Sequence, residues 1–209
     1  MSFFENTRKP VGLGGKLMVS MMNLGHMPLV NWGMKFLPLS LDARVLDCGC
    51  GGGANIRKLL KQCPQGVVKG VDYSPVSVEK ARRLNAAAIN DGRCMIWQGS
   101  VENILFASGW FDAVTAFETV YFWPNPAECF REVYRVLKPG GTFLICNECG
   151  DTASGEKWKK QIGEMTIYTD VQLKAALECA GFRNVRGHRN PEGWLCVTGQ
   201  KQEEQNVLL

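Results

Sequence analysis

The residues with the clearest capacity for chemistry form a glycine-rich stretch, Val45 to Gly53, which reads VLDCGCGGG. An apolar strand that enters a glycine turn and then a helix can bring its backbone close to a ligand, because glycine has no side chain to block the approach. An acidic residue, Asp47, stands two positions before the first glycine. The stretch therefore predicts a nucleotide-binding turn with a carboxylate beside it.

This carboxylate distinguishes between two kinds of nucleotide. The string Gly49-x-Gly51-x-x-Ala54 fits the dinucleotide pattern, and Asp72 follows 23 residues after Gly49, near the spacing of a ribose-binding acid. A pyrophosphate, however, would meet the negative charge of Asp47, and two unit charges ~4 Å apart at an effective dielectric of ~20 interact by ~4 kcal/mol. We therefore expect a ligand with adenosine at one end and an ammonium group at the other.

Four segments in this order resemble the class I S-adenosylmethionine (SAM)-dependent methyltransferases of the small single-domain type, similar to methyltransferase type 11. The resemblance covers about Leu41 to Thr198. Its four segments are Val45–Gly53, Gly70–Pro75, Gln98–Asn103 and Tyr134–Gly141. SAM carries adenosine and an ammonium group, so the resemblance agrees with the ligand expected from Asp47.

The resemblance implies how these segments would hold SAM. Asp72 would bind the two ribose hydroxyls, and Tyr73 would pack on the adenine. Ser74 is placed to cap a helix that begins at Pro75. Ser100 stands where the family usually has an aspartate, so the adenine amino group would meet a hydroxyl or a water there. The implied cofactor-binding residues are Asp47, Gly49, Gly51, Gly53, Asp72, Tyr73, Ser74, Ser100, Val101 and Phe117.

The segment Ala116–Trp123 is expected to border the methyl group. Phe117 would offer its backbone carbonyl to the ammonium group of the cofactor, and Glu118 would touch the methionine end or cap the next turn. Tyr121 is the first catalytic candidate, because its ring and hydroxyl suit contact with an acceptor. His26 is the second, as a base with a near-neutral pKa on the N-terminal segment. The alternatives are a core aromatic for Tyr121 and a polar surface residue for His26.

The sequence pattern predicts strands that alternate with helices, and these elements would position the site residues. Such alternation is typical of an α/β sandwich with a mostly parallel sheet. The predicted strands are Arg44–Cys48, Val67–Asp72, Cys94–Gln98, Ala113–Phe117, Thr142–Asn147, Phe182–Arg186 and Trp194–Thr198. The predicted helices are Ala54–Cys63, Val76–Asn90, Pro126–Leu137 and Val171–Ala180. The family resemblance implies a Rossmann-like three-layer sandwich with seven strands, the last of them antiparallel.

We expect three parts along the chain. Residues 1–40 form a helical lid or cap, 41–200 the SAM-binding domain, and 201–209 a tail. The methionine-rich stretch Leu13 to Leu37 is too apolar to be a free tail and is expected to fold over the acceptor site. Polar and helix-breaking residues interrupt it, so no membrane span is predicted.

Composition narrows the classes of partner. The chain has 209 residues and a formal net charge of +4, without a run of five like charges, so nucleic acid is not an expected partner. Its nine cysteines include strand positions such as Cys48, Cys146 and Cys196, and no secretory leader is recognised, which predicts reduced core thiols in the cytoplasm. Cys146 and Cys149 lack a second C-x-x-C pair, so no metal site is predicted.

The sequence thus predicts a SAM-dependent methyltransferase that acts on a small-molecule acceptor by in-line displacement. One alternative is a SAM-binding sensor or partner subunit without catalysis. Others are a methyltransferase that reaches a macromolecule through a partner and a thiol-dependent arsenite-type transferase. The sequence predicts neither the acceptor atom nor an oligomeric state.

Overall fold

Seven strands form one sheet in the part of the chain that the structure describes. The structure is a computed structural model that describes residues 25–151, 155, 159–160 and 165–203. The strands are β1 Arg44–Cys48, β2 Val67–Asp72, β3 Cys94–Gln98, β4 Phe111–Phe117, β5 Leu137–Asn147, β6 Arg183–Arg189 and β7 Leu195–Gln200. Their order is β3-β2-β1-β4-β5-β7-β6, with β1 to β5 parallel and β7 antiparallel to both neighbours. The predicted sheet, with its antiparallel last strand, is confirmed.

Helices cover both faces of this sheet. They are α1 Met27–Gly33, α2 Ala54–Gln62, α3 Pro75–Leu84, α4 Ala86–Asn90, α5 Pro126–Val136 and α6 Asp170–Cys179. One buried cluster joins the sheet to α5 and α6 through residues such as Phe130 and Leu173. A second joins it to α1, α2 and α3 through Leu29, Leu59 and Val78. The two clusters make the predicted three-layer sandwich.

Local signals in the sequence account for where two of the helices begin. Ser74 caps α3, since its hydroxyl accepts a hydrogen bond from the Ser77 N–H at 3.3 Å and Pro75 takes the first helical position. Thr169 and Gln172 form a capping box at α6, in which each side chain accepts from the other's backbone N–H. The first of these helices starts three residues after Asp72, so its cap, Ser74, lies next to the end of β2.

The structure differs from the sequence prediction at the helix expected over Val76–Asn90. That helix is broken at Asn85, which separates α3 from α4. The Asn85 side-chain amide donates to the carbonyl oxygens of Gly53 at 3.1 Å and Ala81 at 2.9 Å. The break therefore lets the Asn85 side chain form a hydrogen bond that holds the glycine turn against α3.

Strand β5 begins five residues earlier than predicted, at Leu137 instead of Thr142. The reason is backbone pairing on both sides, since Leu137 pairs with Phe111 of β4 and residues 140–141 pair with Lys201 beyond β7. The Gly140 N–H donates to the Lys201 carbonyl and the Lys201 N–H to the Gly141 carbonyl, both at 2.9 Å. Lys201 is thus tied to the sheet although it opens the predicted tail, whose residues 204–209 lie outside the described part.

The described portion of the N-terminal segment packs on the sheet. Leu29, Val30, Met34 and Leu37 are all buried in the second cluster. A methyl group on Gly33 would lie 2.6 Å from the Cys146 sulfur, so α1 closely approaches β5. The earlier part of the predicted lid, Leu13 to Leu24, lies outside the described residues, and the lid stays a prediction.

Replacement of Leu29 with alanine should test this packing. Leu29 has 1% of its surface exposed, and removal of a buried leucine side chain costs ~2–5 kcal/mol, so Leu29→Ala should lower the free energy of unfolding by that amount. Urea unfolding measures it. The control is Asn31→Ala on the exposed face of the same helix. Equal stabilities of the two variants would show that α1 contributes little to the core.

Two further findings concern the cysteines and the helices. All nine cysteines are free thiols, and every one except Cys179 is buried, as expected of core residues. Among the described residues, no helix has the length and apolar character needed to cross a membrane.

Candidate functional site

The carboxyl ends of β1, β2 and β4 border a cavity of about 200 Å³. Five residues predicted from the sequence line it, namely Gly49, Asp72, Tyr73, Ser100 and Val101. The other lining residues are Val71, Gly99, Thr119, Phe122, Trp123, Pro124 and Cys129. Ligands of open α/β sheets bind at this edge beside the first strand, where the strand order reverses.

The glycine turn after β1 adopts a backbone that other residues rarely reach. Gly49, Gly51 and Gly53 have φ angles of 71°, 51° and 80°. A methyl group on Gly49 would lie 2.0 Å from the Thr119 hydroxyl, whereas one on Gly51 would meet no protein atom within 4 Å. The first glycine is therefore required by packing against the end of β4. The second leaves open space over the turn, as a ligand-binding backbone requires.

Asp72 is held rigidly at the end of β2 and lines the cavity. One carboxylate oxygen accepts from the Gly51 N–H at 2.8 Å, and the other accepts from the Ser74 N–H at 2.9 Å. Burial raises the pKa of Asp72, and these two backbone hydrogen bonds oppose the rise. Each oxygen can accept a second hydrogen bond, so the carboxylate fits a pair of ribose hydroxyls.

The adenine side of the cavity is built by Tyr73 and the loop after β3. Tyr73 is 39% exposed, and its carbonyl accepts from the Gln98 side chain, so the backbone is anchored while the side chain reaches the cavity. The Ser100 hydroxyl donates to Glu102 at 2.9 Å. Because that bond uses its proton, Ser100 is left with acceptor capacity, which suits an amino group.

Ser74 and Gly53 support the site from behind. The Ser74 hydroxyl is engaged in capping α3, and its N–H orients Asp72. Gly53 packs on α3, where a methyl group would lie 2.9 Å from Ala81. Neither residue lines the cavity, and both shape residues that do.

Asp47 lies beneath the glycine turn, not on the cavity wall. It is fully buried, and its Oδ1 accepts from the Thr115 hydroxyl at 2.8 Å, while Oδ2 has no partner within the described part of the chain. Burial raises the pKa of Asp47 to about 7, and the charge of Asp72 adds to the rise. An incompletely paired buried carboxylate is costly, and a positive charge at the turn would relieve that cost.

The end of β4 turns sharply after Phe117. The Phe117 ring packs toward α1, close to Gly33, and does not line the cavity. Glu118 has φ 57°, a left-handed backbone that is uncommon outside glycine, and its N–H donates to the Cys146 carbonyl. This turn places Glu118 beside the end of β5 and directly before the cavity residue Thr119.

Tyr121 is a buried residue whose hydroxyl joins the ends of β4 and β5. The hydroxyl lies 3.2 Å from the Glu118 carboxylate, to which it donates, and it accepts from the Cys149 N–H at 2.9 Å. The ring is 3% exposed and packs with Cys149, Met165 and Ile167. Tyr121 thus lies where the alternative of a core aromatic residue would place it. In addition, its hydroxyl forms a hydrogen bond with Glu118.

His26 lies with two carboxylates that the sequence analysis did not combine. One ligand-type atom from each of His26, Glu118 and Glu148 falls within 4.8 Å of the others. Burial lowers the pKa of His26, and the charge of Glu148 opposes this. Burial raises the pKa of Glu118 to about 8, which favours its protonated form at neutral pH.

Sequence reasoning missed several of these residues for different reasons. Thr119, Phe122 and Trp123 fall in the segment predicted to border the methyl group, so their position was a usable signal. Cys129 lies on α5, and no pattern in the sequence connects it to β1. Glu148 follows β5, and its meeting with His26 depends on how α1 docks.

The comparisons with known proteins agree with this site. Residues 46–145 match the profile of a methyltransferase domain. Cycloartenol-C-24-methyltransferase 1 of Oryza sativa subsp. japonica is 34% identical over 161 residues, which are 70% of this chain and 46% of that protein. The chloroplastic 2-methyl-6-phytyl-1,4-hydroquinone methyltransferase of Arabidopsis thaliana is 32% identical over 177 residues, 77% of this chain and 49% of that protein. The chain spans about half the length of these curated relatives.

A solved structure shows the same fold. A SAM-dependent methyltransferase from Aquifex aeolicus superposes with a TM-score of 0.75 at 19% identity, covering 88% of this chain and 97% of that chain. In its glycine turn, the acidic end of β2, its sheet order and its sequence relatives, the present chain is similar to the class I SAM-dependent methyltransferases.

Proposed function

We propose that the protein transfers the methyl group of SAM to a small-molecule acceptor by in-line displacement. The observation that carries this proposal is Asp72, a carboxylate fixed by two backbone amides at the wall of a cavity that the glycine turn and Tyr73 also border. The comparisons support methyl transfer, because the chain matches a methyltransferase domain and its relatives are methyltransferases. The name of one relative indicates a sterol-type acceptor and that of another a hydroquinone. These names support methyl transfer to a small molecule.

The residues present fit SAM at three points. Asp72 is oriented for the ribose hydroxyls, and Tyr73 presents its ring to the adenine. The unpaired oxygen of Asp47 would be stabilised by a positive charge near the turn. When bound, SAM supplies an electrophilic methyl group on a sulfonium whose leaving group is a neutral thioether. The protein's main task is then to hold the acceptor atom in line with that methyl group, which is worth ~7–11 kcal/mol.

We assign the acceptor side to the ends of β4 and β5. Thr119, Phe122 and Trp123 form the wall of the cavity that faces the glycine turn. His26 is the proposed base for an acceptor that loses a proton, because its lowered pKa keeps it neutral near pH 7. Tyr121 is proposed to act through Glu118, whose carboxylate it orients by a hydrogen bond.

A screen with methyl-labelled SAM tests the function. The full chain is incubated with labelled SAM and a panel of sterols, quinols, amines and thiols, and label is followed into product. We expect transfer to at least one class, with loss of transfer in Asp72→Ala. Tight SAM binding with no transfer to any class would favour the non-catalytic sensor instead.

A further inference from the structure

The strongest unassigned feature is the cluster of His26, Glu118 and Glu148. The three residues come from the start of α1 and from the turns that follow β4 and β5, so three separate segments converge there. Within the described residues, neither carboxylate forms an ion pair with a lysine or arginine. The Arg189 guanidinium donates to the carbonyl of Gly150, two residues after Glu148, at 2.6 Å and does not pair with either carboxylate.

The cluster adjoins the proposed reaction site. Glu118 directly precedes Thr119, which lines the cavity and packs against Gly49. Glu118 cannot swing freely, because the Tyr121 hydroxyl and the Glu148 N–H both donate to its Oε1. The Tyr121 hydroxyl is in turn fixed by the Cys149 N–H at 2.9 Å. Two carboxyl groups are thus held beside one imidazole at the edge of the site.

We propose that Glu118 and Glu148 are positioning residues that hold His26 as the proton acceptor of the reaction, and that the acceptor is a molecule whose reacting atom gives up a proton. Hydroxyl and thiol groups form this class, and so do ammonium groups, which must lose the proton before the nitrogen has an electron pair for the methyl carbon. The inference rests on the proposed function. It goes further by naming the two carboxylates and the chemical class of the acceptor.

The step balances without any other reactant. The acceptor atom forms a bond to the methyl carbon as the carbon–sulfur bond breaks, and the electron pair of that bond stays on sulfur. The acceptor's bond to hydrogen breaks, and the proton moves to the neutral imidazole of His26. One positive charge leaves the sulfur and one appears on the imidazole, where the charge of Glu148 stabilises it. His26 then returns the proton to solvent.

Two observations favour this role over simple packing. His26 has a pKa below the ordinary value because of burial, so it is neutral and able to accept at pH 7. Glu118 has a pKa of about 8, raised first by burial and also by the charge of Glu148, so near neutral pH it already carries a proton and does not compete with His26 for the released one. Among the residues that the structure describes, the charged and polar groups that face His26 are Glu148, Glu118 and, through Glu118, Tyr121.

The test is a proton NMR titration of the full chain, which has two histidines, His26 and His188. We expect the His26 ring signal to titrate below 6.5 with a second inflection near pH 8 from Glu118. Glu148→Gln should lower the His26 midpoint further, because it removes a neighbouring negative charge. Glu118→Gln should abolish the inflection near pH 8. His188, stacked on Phe36, serves as the internal control and should not change.

Three results would overturn the proposal. The first is a His26 midpoint that neither carboxylate variant changes, and the second is an ordinary midpoint near 6.5 in the parent. The third is specific loss of the His26 signal on addition of Zn²⁺ or Mn²⁺, since that would identify the cluster as a metal site. A separate calorimetric titration with SAM distinguishes failure of the proposed function, because the parent protein would then not bind SAM. Glu148→Gln should retain the SAM affinity of the parent.

Discussion

Asp72→Ala is expected to weaken SAM binding ~10²–10⁴-fold. The carboxylate is oriented for two ribose hydroxyls, and each hydrogen bond to a charged group contributes ~1.5–3 kcal/mol, where 1.4 kcal/mol corresponds to a factor of ten. The substitution also frees the Gly51 and Ser74 N–H groups, so the glycine turn loses its anchor. Calorimetric titration with SAM measures the loss.

Two further variants make this result specific. Asp72→Asn keeps the shape and one acceptor oxygen but lacks the charge, so its affinity should fall between those of the parent and the alanine variant. Asp91→Ala changes an exposed aspartate away from the cavity and should bind SAM as the parent does. Circular dichroism establishes that each variant is folded. A folded Asp72→Ala protein that binds SAM with unchanged affinity would refute the ribose assignment.

Asp47→Asn is expected to stabilise the SAM-free protein above neutral pH. The pKa of Asp47 is raised by burial to about 7, from 3.8 for an ordinary aspartate. The folded state therefore binds the proton more tightly than the unfolded state, and the stability present at low pH is lost as the pH rises from about 4 to about 7. The loss from this buried group amounts to ~4 kcal/mol, at 1.36 kcal/mol per pKa unit.

Asparagine carries no charge and should remove that pH dependence. Its amide would leave a buried NH2 group, with two N–H donors, without a partner at a cost of ~1–3 kcal/mol, so the expected net gain at pH 8 is ~1–3 kcal/mol. Urea unfolding of both proteins at several values between pH 5 and pH 8 gives the comparison. The difference between the two curves should grow with pH, and parallel curves would show that Asp47 is not the titrating group.

The same substitution should change ligand binding in the opposite direction. A cation at the glycine turn favours ionised Asp47, so the SAM affinity of the parent should rise as the pH passes 7. Asp47→Asn should lack this component of the rise. The variant would then be more stable and bind SAM less well, which is the trade-off expected where a buried charge is kept for function.

The parts of the fold set by local pattern could be predicted from the sequence, whereas the parts set by distant contacts could not. Strands β1, β2 and β3 begin and end at the predicted residues because their apolar runs are bounded by turn residues. The break at Asn85 depends on the Gly53 carbonyl, 32 residues away, and no periodicity reveals it.

The candidate site divides in the same way. Asp72, Tyr73 and Ser100 sit at strand ends in a known order, so their motif predicted their place in the cavity. Asp47 was expected at the turn, but its depth below the surface follows from the register with Thr115 on β4. His26 was named alone, since its two carboxylate neighbours come from segments that meet only after the sheet and α1 pack.

The central claim is that the glycine turn and Asp72 bind SAM and not a dinucleotide. Isothermal titration of the full chain with SAM, with its demethylated product S-adenosylhomocysteine and with NAD tests it most directly. The account predicts about micromolar affinity for the first two ligands, weaker binding of both in Asp72→Ala, and no binding of NAD at pH 8, where ionised Asp47 places negative charge beneath the turn that the pyrophosphate would meet. Tight binding of NAD without a response to SAM would contradict the account.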